Sequence, residues 1–397
     1  MANILFLAHR IPYPPNKGDK IRSWNFLSHL FEKHNVHLGF FVDDAKDMVH
    51  VPYLKNLTSS LCFKNVNPVF QKLKSLTGLL TGRALTTSAY PYARLRQYAS
   101  GLIESGEIDL VFLFSAATGP IVGNGCNVPI VADLVDVDSQ KWISYSRDAV
   151  WPLSWLYKRE GKKLGEYERQ LTEKAAFATL VSDQEAELFS SLVPELGAKI
   201  QAVPNGVDLA LFNPFAYEDL VQGDVVLFTG AMDYQPNIDA VTWFASEIWP
   251  AIVARRESAV FRIAGGPAVA KVEALGDLPN VEVVGYVEDM AKEISKATVC
   301  VAPLRTARGI QNKVLEGMAM AKPVVATSLA NEGINAETGV ELLVADGEVA
   351  FSEAVLLLLE CAEDRSSIAN AARAFVEKNF TWNQAFQKLD ELIGKSL

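Results

Sequence analysis

Residues 299–327 read VCVAPLRTARGIQNKVLEGMAMAKPVVAT, a stretch that predicts a buried strand, a glycine-bearing loop, a helix and a second buried strand. In such a unit several N–H groups and the positive end of the helix dipole converge on one point, which can hold a diphosphate without a metal ion. Glu316 follows on the same helix, where its carboxylate could accept hydrogen bonds from a ribose diol. The alternative interpretation is an ordinary surface loop followed by a solvated glutamate.

Composition predicts two domains and argues against a general nucleic-acid binder. The chain has 397 residues, of which 49% are hydrophobic, and single cores seldom grow beyond about 250–300 residues. Its net charge is −10, which does not suit a polyanionic partner. We therefore expect no nucleic acid among its partners.

The first half nevertheless carries an uneven distribution of charge. No acidic residue occurs between Asp47 and Glu104, whereas seven bases do, namely Lys55, Lys64, Lys72, Lys74, Arg83, Arg94 and Arg96. A second basic cluster comprises Lys158, Arg159, Lys162 and Lys163. These bases form either ordinary solvated faces or a positive face that meets anionic lipid headgroups or a phosphate-bearing acceptor.

Cysteine usage and hydropathy predict a cytoplasmic protein. The cysteines are far apart and fit a reducing compartment; they are Cys62, Cys126, Cys300 and Cys361. The first ten residues, MANILFLAHR, have no basic leader before their apolar run and predict a strand instead of a secretory signal. No stretch approaches the 18 apolar residues of a membrane span. Any membrane contact would then be peripheral, at the inner face of the plasma membrane.

Short β-branched runs alternate with longer helical patterns, which is typical of parallel sheets covered on both faces. The turn-forming stretch VPNGVD, residues 203–208, separates two such series and predicts a hinge. We expect an N-terminal domain over residues 1–203 and a C-terminal domain over residues 204–380, with a final helix at about 381–397 packing back on the first. The predicted strands are Asn3–Ala8, Val36–Phe41, Leu110–Phe114, Ile130–Asp133, Phe177–Val181, Val225–Thr229, Val260–Ala264, Val281–Val284, Val299–Ala302 and Pro323–Ala326, and the predicted helices include Asp239–Ile252 and Ser352–Glu363.

A second glycine-bearing turn follows the first predicted strand, in the stretch HRIPYPPNKGDKIRSW at residues 9–24. Gly18 could let the backbone approach a phosphate, and Asp19 is a candidate N-cap. The helix that follows is expected to point Ile21, Trp24, Leu27 and Leu30 inward. In doubly wound domains ligands bind outside the carboxyl ends of the strands, so turns from two such domains could clamp one diphosphate in a shared cleft.

Several motifs in a fixed order carry a resemblance to a known family. They are PYPPNKGDKIRSW near the start, VADLVDVDSQKW at 131–142, SDQEAELF at 182–189, VPNGVD, FTGAMDYQPNIDAVTWF at 228–244 and ARGIQNKVLEGMAMAKPVVAT at 307–327. Together they make the chain resemble the family 4 glycosyltransferases, and more closely the sugar transferases associated with PEP-CTERM and exosortase systems.

The resemblance implies an α/β protein of GT-B fold, with two doubly wound Rossmann-like domains facing an interdomain cleft. It also implies a cytoplasmic enzyme that transfers a hexosyl group from a nucleotide diphosphate sugar to a saccharide or lipid-linked acceptor. The anomeric configuration would be retained, and exopolysaccharide biosynthesis is the implied process. No cofactor and no metal ion are expected, because the only Asp-x-Asp beside a strand is Asp136-Val137-Asp138 in the acceptor half.

On the donor side the resemblance assigns binding roles position by position. Glu316 matches the second Glu of the family's Glu-x7-Glu motif, which holds the ribose, whereas Arg308 replaces the first Glu. Relatives often carry an Arg and a Lys in the stretch that begins at Gly230 here and reads GAMDYQPN, which has neither base. We expect Lys313 and Arg308, with Arg305 behind them, to neutralise the phosphates. The loop beneath the phosphates comprises Gly309, Ile310, Gln311 and Asn312.

On the acceptor side the resemblance points to the end of the strand at VADLVD. Asp133 and Asp136 match two Asp positions of the family pattern, while Val135 replaces a His that contacts the transferring sugar. All five histidines lie in the first fifty residues. Asp136 or Asp138 would then orient the acceptor hydroxyl or stabilise positive charge at the anomeric carbon, and Lys313 would assist departure of the diphosphate. Each aspartate could instead be a turn former.

Three other functions remain open from the sequence. A nucleotide-sugar epimerase of GT-B fold would also bind a diphosphate, and a catalytically weakened nucleotide-binding paralogue would fit the changes at Arg308 and Val135. A dinucleotide-dependent oxidoreductase is disfavoured, because no GxGxxG is followed by an acidic residue about twenty positions later.

Overall fold

The computed structural model of the chain describes residues 1–123, 125–217, 220, 223–306 and 309–397, with the backbone alone at Asp148. It divides into two compact units, one formed by Met1–Pro204 with Phe386–Leu397 and the other by Asn205–Ala385. Each unit is a parallel sheet flanked by helices, which confirms the predicted α/β class. Among the described residues, no helix is both long enough and apolar enough to cross a membrane.

The first unit contains a seven-stranded sheet in the order β3-β2-β1-β4-β5-β6-β7, and every pairing in it is parallel. Central strands read as continuous apolar runs because both faces are covered, and Leu5, Phe6 and Leu7 are accordingly fully buried. The strands are β1 (Asn3–Ala8), β2 (Asn35–Val42), β3 (Ser60–Asn65), β4 (Leu110–Phe114), β5 (Ile130–Val135), β6 (Phe177–Leu180) and β7 (Ile200–Ala202).

The helices of the first unit are α1 (Gly18–Lys33), α2 (Val51–Leu57), α3 (Pro68–Ser75), α4 (Thr77–Thr81), α5 (Leu85–Ser88), α6 (Ala93–Glu104), α7 (Asp138–Asp148), α8 (Leu153–Lys174) and α9 (Asp183–Leu192). The predicted inward face of α1 is partly wrong, because Ile21 and Trp24 are only half-buried whereas Arg22 is fully buried. The proposed N-cap is also wrong, since Lys17 occupies that position and Asp19 lies in the first turn.

The second unit contains a six-stranded parallel sheet in the order β10-β9-β8-β11-β12-β13. Its strands are β8 (Val225–Thr229), β9 (Val260–Ala264), β10 (Val281–Gly285), β11 (Val299–Ala302), β12 (Val324–Ala326) and β13 (Leu343–Val344). Its helices are α10 (Gln235–Trp243), α11 (Trp249–Arg255), α12 (Ala270–Glu273), α13 (Met290–Ser295), α14 (Asn312–Ala319), α15 (Ser328–Asn331), α16 (Glu348–Glu360) and α17 (Ala362–Asn379).

The helix predicted over Asp239–Ile252 is interrupted. A π-helical turn at Phe244–Ile248 separates α10 from α11, and Pro250 lies at the start of α11. Because proline has no N–H, it cannot continue the hydrogen-bond ladder of the preceding turn, and the chain accommodates it with the wider turn.

The last helix, α18 (Trp382–Ser396), contributes residues to both units. From Phe386 onward its residues contact α1 within the first unit. The ring of His29 stacks on Phe386 with centroids 4.2 Å apart, and its Nε2 lies 2.9 Å from the Asp390 carboxylate. The Lys33 ammonium donates to the same carboxylate at 2.6 Å. These contacts fix the end of the chain on the first sheet's covering helix.

Candidate functional site

The order of strands in the second sheet reverses between β8 and β11, and the carboxyl ends of these two strands are where doubly wound sheets bind ligands. Gly230 follows β8 and has a φ of +154°. A Cβ at this position would approach the Asn237 side-chain nitrogen to 2.7 Å and the Lys313 Cε to 3.4 Å. Only glycine therefore leaves room for the two side chains to lie against this turn.

Helix α14 follows β11 and its loop, and it lies unusually close to the sheet. A Cβ on Gly317 would come within 3.3 Å of the Cys300 Cβ, so the glycine allows the helix to pack directly on β11. Val314, Leu315 and Met318 are buried on that side. Lys313 and Glu316 project from the other side and are half-buried. The sequence thus folds so that one cation and one carboxylate stand together at the switch point.

Lys313 reaches back toward the end of β8. Its ammonium donates to the Asn237 Oδ1 at 2.9 Å and lies 5.1 Å from the centre of the Phe228 ring. Burial lowers the pKa of Lys313 to about 8, although the charge of Glu316 partly opposes that shift. The ammonium is held by a neutral amide and an aromatic face, and no carboxylate among the described residues ion-pairs with it.

Glu316 stands one turn farther along α14. Burial raises the pKa of its carboxyl to about 7, and the neighbouring Lys313 charge partly opposes the shift. Within the described part of the chain, no side chain donates a hydrogen bond to this carboxylate. Its acceptor capacity is consequently available to a ligand with hydroxyl groups.

The loop before α14 is supported from behind. Gly309 has a φ of +62°, and a Cβ on Gly333 would meet the Gly309 carbonyl oxygen at 2.4 Å. Gly333, which the sequence interpretation missed, therefore allows the chain after α15 to pack on this loop. Ile310 and Gln311 are half-buried, and the Asn205 amide donates to the Asn312 Oδ1 at 3.4 Å.

Two predicted phosphate-binding cations have different outcomes. Arg308 lies outside the described residues. Arg305 is half-exposed and ion-pairs with Asp239, with its Nε donating to the carboxylate at 3.0 Å. Its guanidinium also lies 5.2 Å from the centre of the Trp243 ring. Arg305 is thus engaged on α10, whereas Lys313 remains at the end of β8.

In the first sheet the strand order reverses between β1 and β4. His9 directly follows β1, stacks on Phe114 at the end of β4 with centroids 5.8 Å apart, and lies 3.4 Å from the Asp19 carboxylate. Arg10 donates to Asp19 at 2.7 Å and to Asp43 at 2.8 Å. Burial would raise the pKa of Asp19, but contacts with His9 and Arg10 hold that pKa well below its usual range. The strand prediction placed His9 at this edge, and the crevice rule could have singled it out.

The aspartates proposed for the acceptor side lie one strand farther along, after β5. Lys141 donates to Asp136 at 2.6 Å and to Asp138 at 3.1 Å, which holds the two carboxylates together. Val135, which stands where relatives have histidine, has a φ of +70°. A β-branched residue in the left-handed region is strained, and such strain concentrates at functional sites. Ser115, at the end of β4, has a φ of +74°.

Two other sequence-predicted positions have structural environments. Asp133 is fully buried and accepts from Arg22 Nε at 2.7 Å, from Arg22 Nη2 at 2.9 Å and from Thr179 at 2.9 Å. Arg22 Nη1 also donates to the Val203 carbonyl at 2.8 Å. Asp133 is therefore an internal partner of α1. Gly18 is the exposed first residue of α1.

Across the described ranges, no group of three or more His, Cys, Asp or Glu side chains is placed to hold a metal ion. Cys300, which lies beneath α14, is buried, and this burial raises the pKa of its thiol to about 12.

Comparison with known proteins adds to this geometry. Residues 223–361 match the family model described as Glycosyl transferases group 1. A curated relative, an uncharacterized 44.6 kDa protein in the cps region of Klebsiella pneumoniae, is 22% identical over 190 residues, which are 46% of this chain and 49% of that relative. The chain thus matches about half the length of this curated relative.

Solved structures resemble the chain over its whole length. Anabaena HepE in complex with UDP and glucose has a TM-score of 0.71 at 16% identity, with 99% of this chain and 100% of that chain covered. Sucrose-phosphate synthase from Thermosynechococcus elongatus has a TM-score of 0.72 at 16% identity, with coverage of 100% and 99%. The predicted GT-B fold is confirmed, and the segment that carries Gly230, Lys313 and Glu316 matches the group 1 glycosyltransferase model.

Proposed function

We propose that this chain is a retaining, metal-independent hexosyltransferase that uses a nucleotide diphosphate sugar as donor. The carrying observation is the placement of Lys313 beside Gly230 at the switch point of the second sheet, with Glu316 one turn farther along the same helix. We further propose that it belongs with the family 4 enzymes, near the sugar transferases associated with PEP-CTERM systems. The match of residues 223–361 to group 1 glycosyltransferases and the HepE complexes with UDP and UDP-glucose support a nucleotide-sugar donor.

In this proposal Lys313 replaces the bases that relatives carry after the first strand of the second domain. Its ammonium lies 2.9 Å from Asn237, a residue of the GAMDYQPN stretch itself, so its charge stands where that stretch has none. The N–H groups at the start of α14 and Lys313 would bind the diphosphate, with Gly309 to Asn312 beneath it. Glu316 would accept hydrogen bonds from the ribose.

The chemistry follows from this charge arrangement. As the bond between the anomeric carbon and the diphosphate oxygen breaks, positive charge develops on the sugar and negative charge on the leaving group. Fixed N–H donors and the Lys313 ammonium would stabilise the leaving group, and one such donor is typically worth about 2.7–4 kcal/mol. The departing diphosphate oxygen would accept the proton of the acceptor hydroxyl on the same face of the sugar, and the hydroxyl oxygen would bond to the anomeric carbon there, which retains configuration.

We propose a saccharide or lipid-linked acceptor, taken up at an anionic membrane surface on the cytoplasmic side. The pair Asp136 and Asp138, held by Lys141, would orient the acceptor hydroxyl. Exopolysaccharide biosynthesis is the proposed process, and the position of the Klebsiella relative in a cps region supports it.

The test is a donor and acceptor screen with the purified full chain. A panel of UDP-, GDP- and dTDP-sugars is incubated with and without saccharide or lipid-linked acceptors, and released nucleoside diphosphate is measured by a coupled assay. We expect release only when an acceptor is present, unchanged by EDTA, and a product whose anomeric proton coupling matches the donor. Glu353→Gln, an exposed change on α16, is the matched control for variants of Glu316.

Each of the other outcomes would indicate a different function or contradict one part of the proposal. Isomerised sugar without release of nucleotide would indicate an epimerase, and nucleotide binding without either reaction would indicate a weakened paralogue. Inversion at the anomeric carbon, or loss of activity with EDTA, would contradict the retaining or metal-independent part alone. Absence of nucleotide binding would overturn the proposal as a whole.

A further inference from the structure

Two segments of the first unit expose large apolar side chains. In α3 and α4 the exposed fractions reach 73% for Phe70 and 91% for Leu80, and Trp151, just before α8, is 80% exposed. We call this surface the apolar ridge; its members are Val69, Phe70, Leu73, Leu76, Leu80, Val150, Trp151, Leu153 and Trp155. Single exposed apolar residues are ordinary, but nine in two segments form a patch of the kind that marks an interaction site.

The two segments are neighbours in the fold. Arg159 of α8 donates to the Gly78 carbonyl of α4 at 2.8 Å, and Glu160 accepts from the Leu85 N–H at 2.6 Å. Trp155 stands one helical turn before Arg159, so it projects on the side of α8 that meets α4. The two segments that carry the apolar ridge therefore meet where α8 contacts α4 and α5.

The α3–α4 segment has the pattern of an amphipathic helix turned outward. Val69, Leu73, Leu76 and Leu80 recur at spacings of four, three and four, which is the apolar stripe of a helix that packs on a core. Here α3 contains no buried residue, and the stripe faces solvent. Such a stripe gains stability only when something covers it.

The charged residues near the ridge indicate what kind of surface would cover it. Residues 48–103, which hold the first segment of the ridge, include no acidic residue, and the bases nearest in sequence to the two segments are Lys72, Lys74, Arg83, Arg147, Lys158 and Arg159, with Asp148 and Glu160 the nearest acidic residues of the second segment. Tryptophan and basic residues beside an apolar face are typical of helices that lie in the interface of anionic bilayers. Each base near an anionic surface adds to binding, and the acid-free stretch avoids repulsion.

We infer that the apolar ridge inserts into the interfacial layer of an anionic lipid bilayer, so that the first unit lies on the membrane. Insertion differs from electrostatic contact because the side chains of Leu80, Trp151 and Phe70 would be transferred from water into the bilayer. The inference does not depend on sugar transfer. It bears on the proposed function in one respect. Lys74 of α3 donates to the Tyr90 carbonyl at 2.6 Å, and the Tyr90 ring packs on Phe41 of β2 with centroids 4.7 Å apart, which joins the ridge to the first sheet.

The experiment is flotation of the full chain with vesicles, without donor or acceptor. Vesicles of phosphatidylcholine alone are compared with vesicles containing 30 mol% phosphatidylglycerol. We expect binding to the anionic vesicles that is weakened, but not abolished, at high salt, because buried apolar area is not screened. Leu80→Ser and Phe70→Ser should each weaken partitioning by roughly tenfold. Leu192→Ser changes a leucine outside the ridge that is 47% exposed at the end of α9; it is the control and should bind like the parent.

A second measurement separates insertion from surface attraction. Lipids brominated in the acyl chain should quench the tryptophan emission of the parent, and the double variant Trp151→Phe, Trp155→Phe should lose most of that quenching while still floating. Binding that vanishes at high salt with no quenching would overturn insertion. Failure of the folded chain to float, or a dimer that Leu80→Ser dissociates in sedimentation, would overturn the membrane as the cover. None of these results depends on sugar transfer to a soluble acceptor. Failure of membrane insertion can therefore be told apart from failure of the proposed function.

Discussion

The carboxyl edges of the two sheets use their charged residues in opposite ways. At the edge of the first sheet each cation faces a carboxylate, as Arg10 does with Asp19 and Lys141 with Asp136. At the edge of the second sheet Lys313 rests on an amide and an aromatic ring, and no described side chain donates to Glu316. At the first edge the carboxylates, including Asp136 and Asp138 of the proposed acceptor site, are paired with cations, whereas at the second edge Lys313 and Glu316 are left for a ligand.

Burial disfavours the charged form of a side chain at both edges, but the resulting pKa shifts differ because the partners differ. Removing a charge from water is costly unless a partner compensates it. Asp19 has partners, and its pKa stays well below the usual range despite burial. Lys313 and Glu316 lack a full partner, so their pKa values move to about 8 and about 7. A charge that burial destabilises is one that a complementary ligand stabilises.

The largest expected effect comes from removing a buried ion pair of the first unit, whose charged residues are paired. Arg22→Met should destabilise the first unit by about 3–5 kcal/mol, because it leaves the Asp133 carboxylate buried and unpaired. Hydrogen-exchange mass spectrometry should show faster exchange in α1 and β5. Arg169→Gln removes an exposed ion pair with Glu195 in the same unit and is the control, with exchange like the parent. If hydrogen exchange in Arg22→Met is as slow as in this control, the Arg22–Asp133 pair does not stabilise the first unit.

The next largest effect is expected at the carboxyl edge of the second sheet, where Lys313 lies. Lys313→Met should reduce turnover with the preferred nucleotide sugar by about 10²–10³-fold, equivalent to about 2.7–4 kcal/mol, because leaving-group charge loses its cation. The fold should persist, since methionine fills much of the same volume beside Phe228 and Asn237. Circular dichroism and initial-rate kinetics check the two parts. A folded Lys313→Met with parental turnover would remove Lys313 from the site.

Glu316→Ala should have a smaller effect, concentrated on donor affinity. Charged hydrogen bonds to the ribose are worth about 1.5–3 kcal/mol, so Kd for the nucleoside diphosphate should rise about 10–150-fold. Glu316→Gln should fall between the parent and the alanine variant, because its amide keeps one acceptor oxygen. Calorimetric titration with UDP and with its 2′,3′-dideoxy analogue is the measurement. Equal losses of affinity for both nucleotides would mean that Glu316 does not contact the ribose.

The central strands of both sheets were predictable from sequence because they are continuous apolar runs. The edge strands β3, β7 and β13 were missed, since they are short or half-exposed and their composition resembles a loop. Arg22 was also missed. Helical periodicity assigns Ile21 and Trp24 to the inward face, whereas the chain buries an arginine whose partner, Asp133, is 111 residues away. No local pattern carries that information.

The donor edge was predictable in part for a similar reason. Glu316 lies on a helix that follows a strand, so local pattern singled it out, and Lys313 on the same helix was chosen through the resemblance. Asn237 was overlooked because its role arises from contact with Lys313, 76 residues away. The aspartates after β5 were chosen by resemblance, and their shared partner Lys141 is only a few residues on, so the sequence did contain that signal.

The smallest expected effect concerns pH and tests the open edge without removing a side chain. Because burial lowers the pKa of Lys313 to about 8, the side chain loses its ammonium charge as pH rises through 8. Affinity for UDP should therefore fall by about fivefold between pH 8 and pH 9, as linkage requires for a group that must be protonated. Lys313→Arg keeps its charge throughout this range and should give a flat profile there. Glu316, with a pKa of about 7, should produce only a shallow change on the acid side, because a neutral carboxyl still accepts and donates hydrogen bonds. A parental profile that is flat from pH 7 to pH 9.5, or a Lys313→Arg profile that falls as steeply as the parent, would place the titrating cation elsewhere.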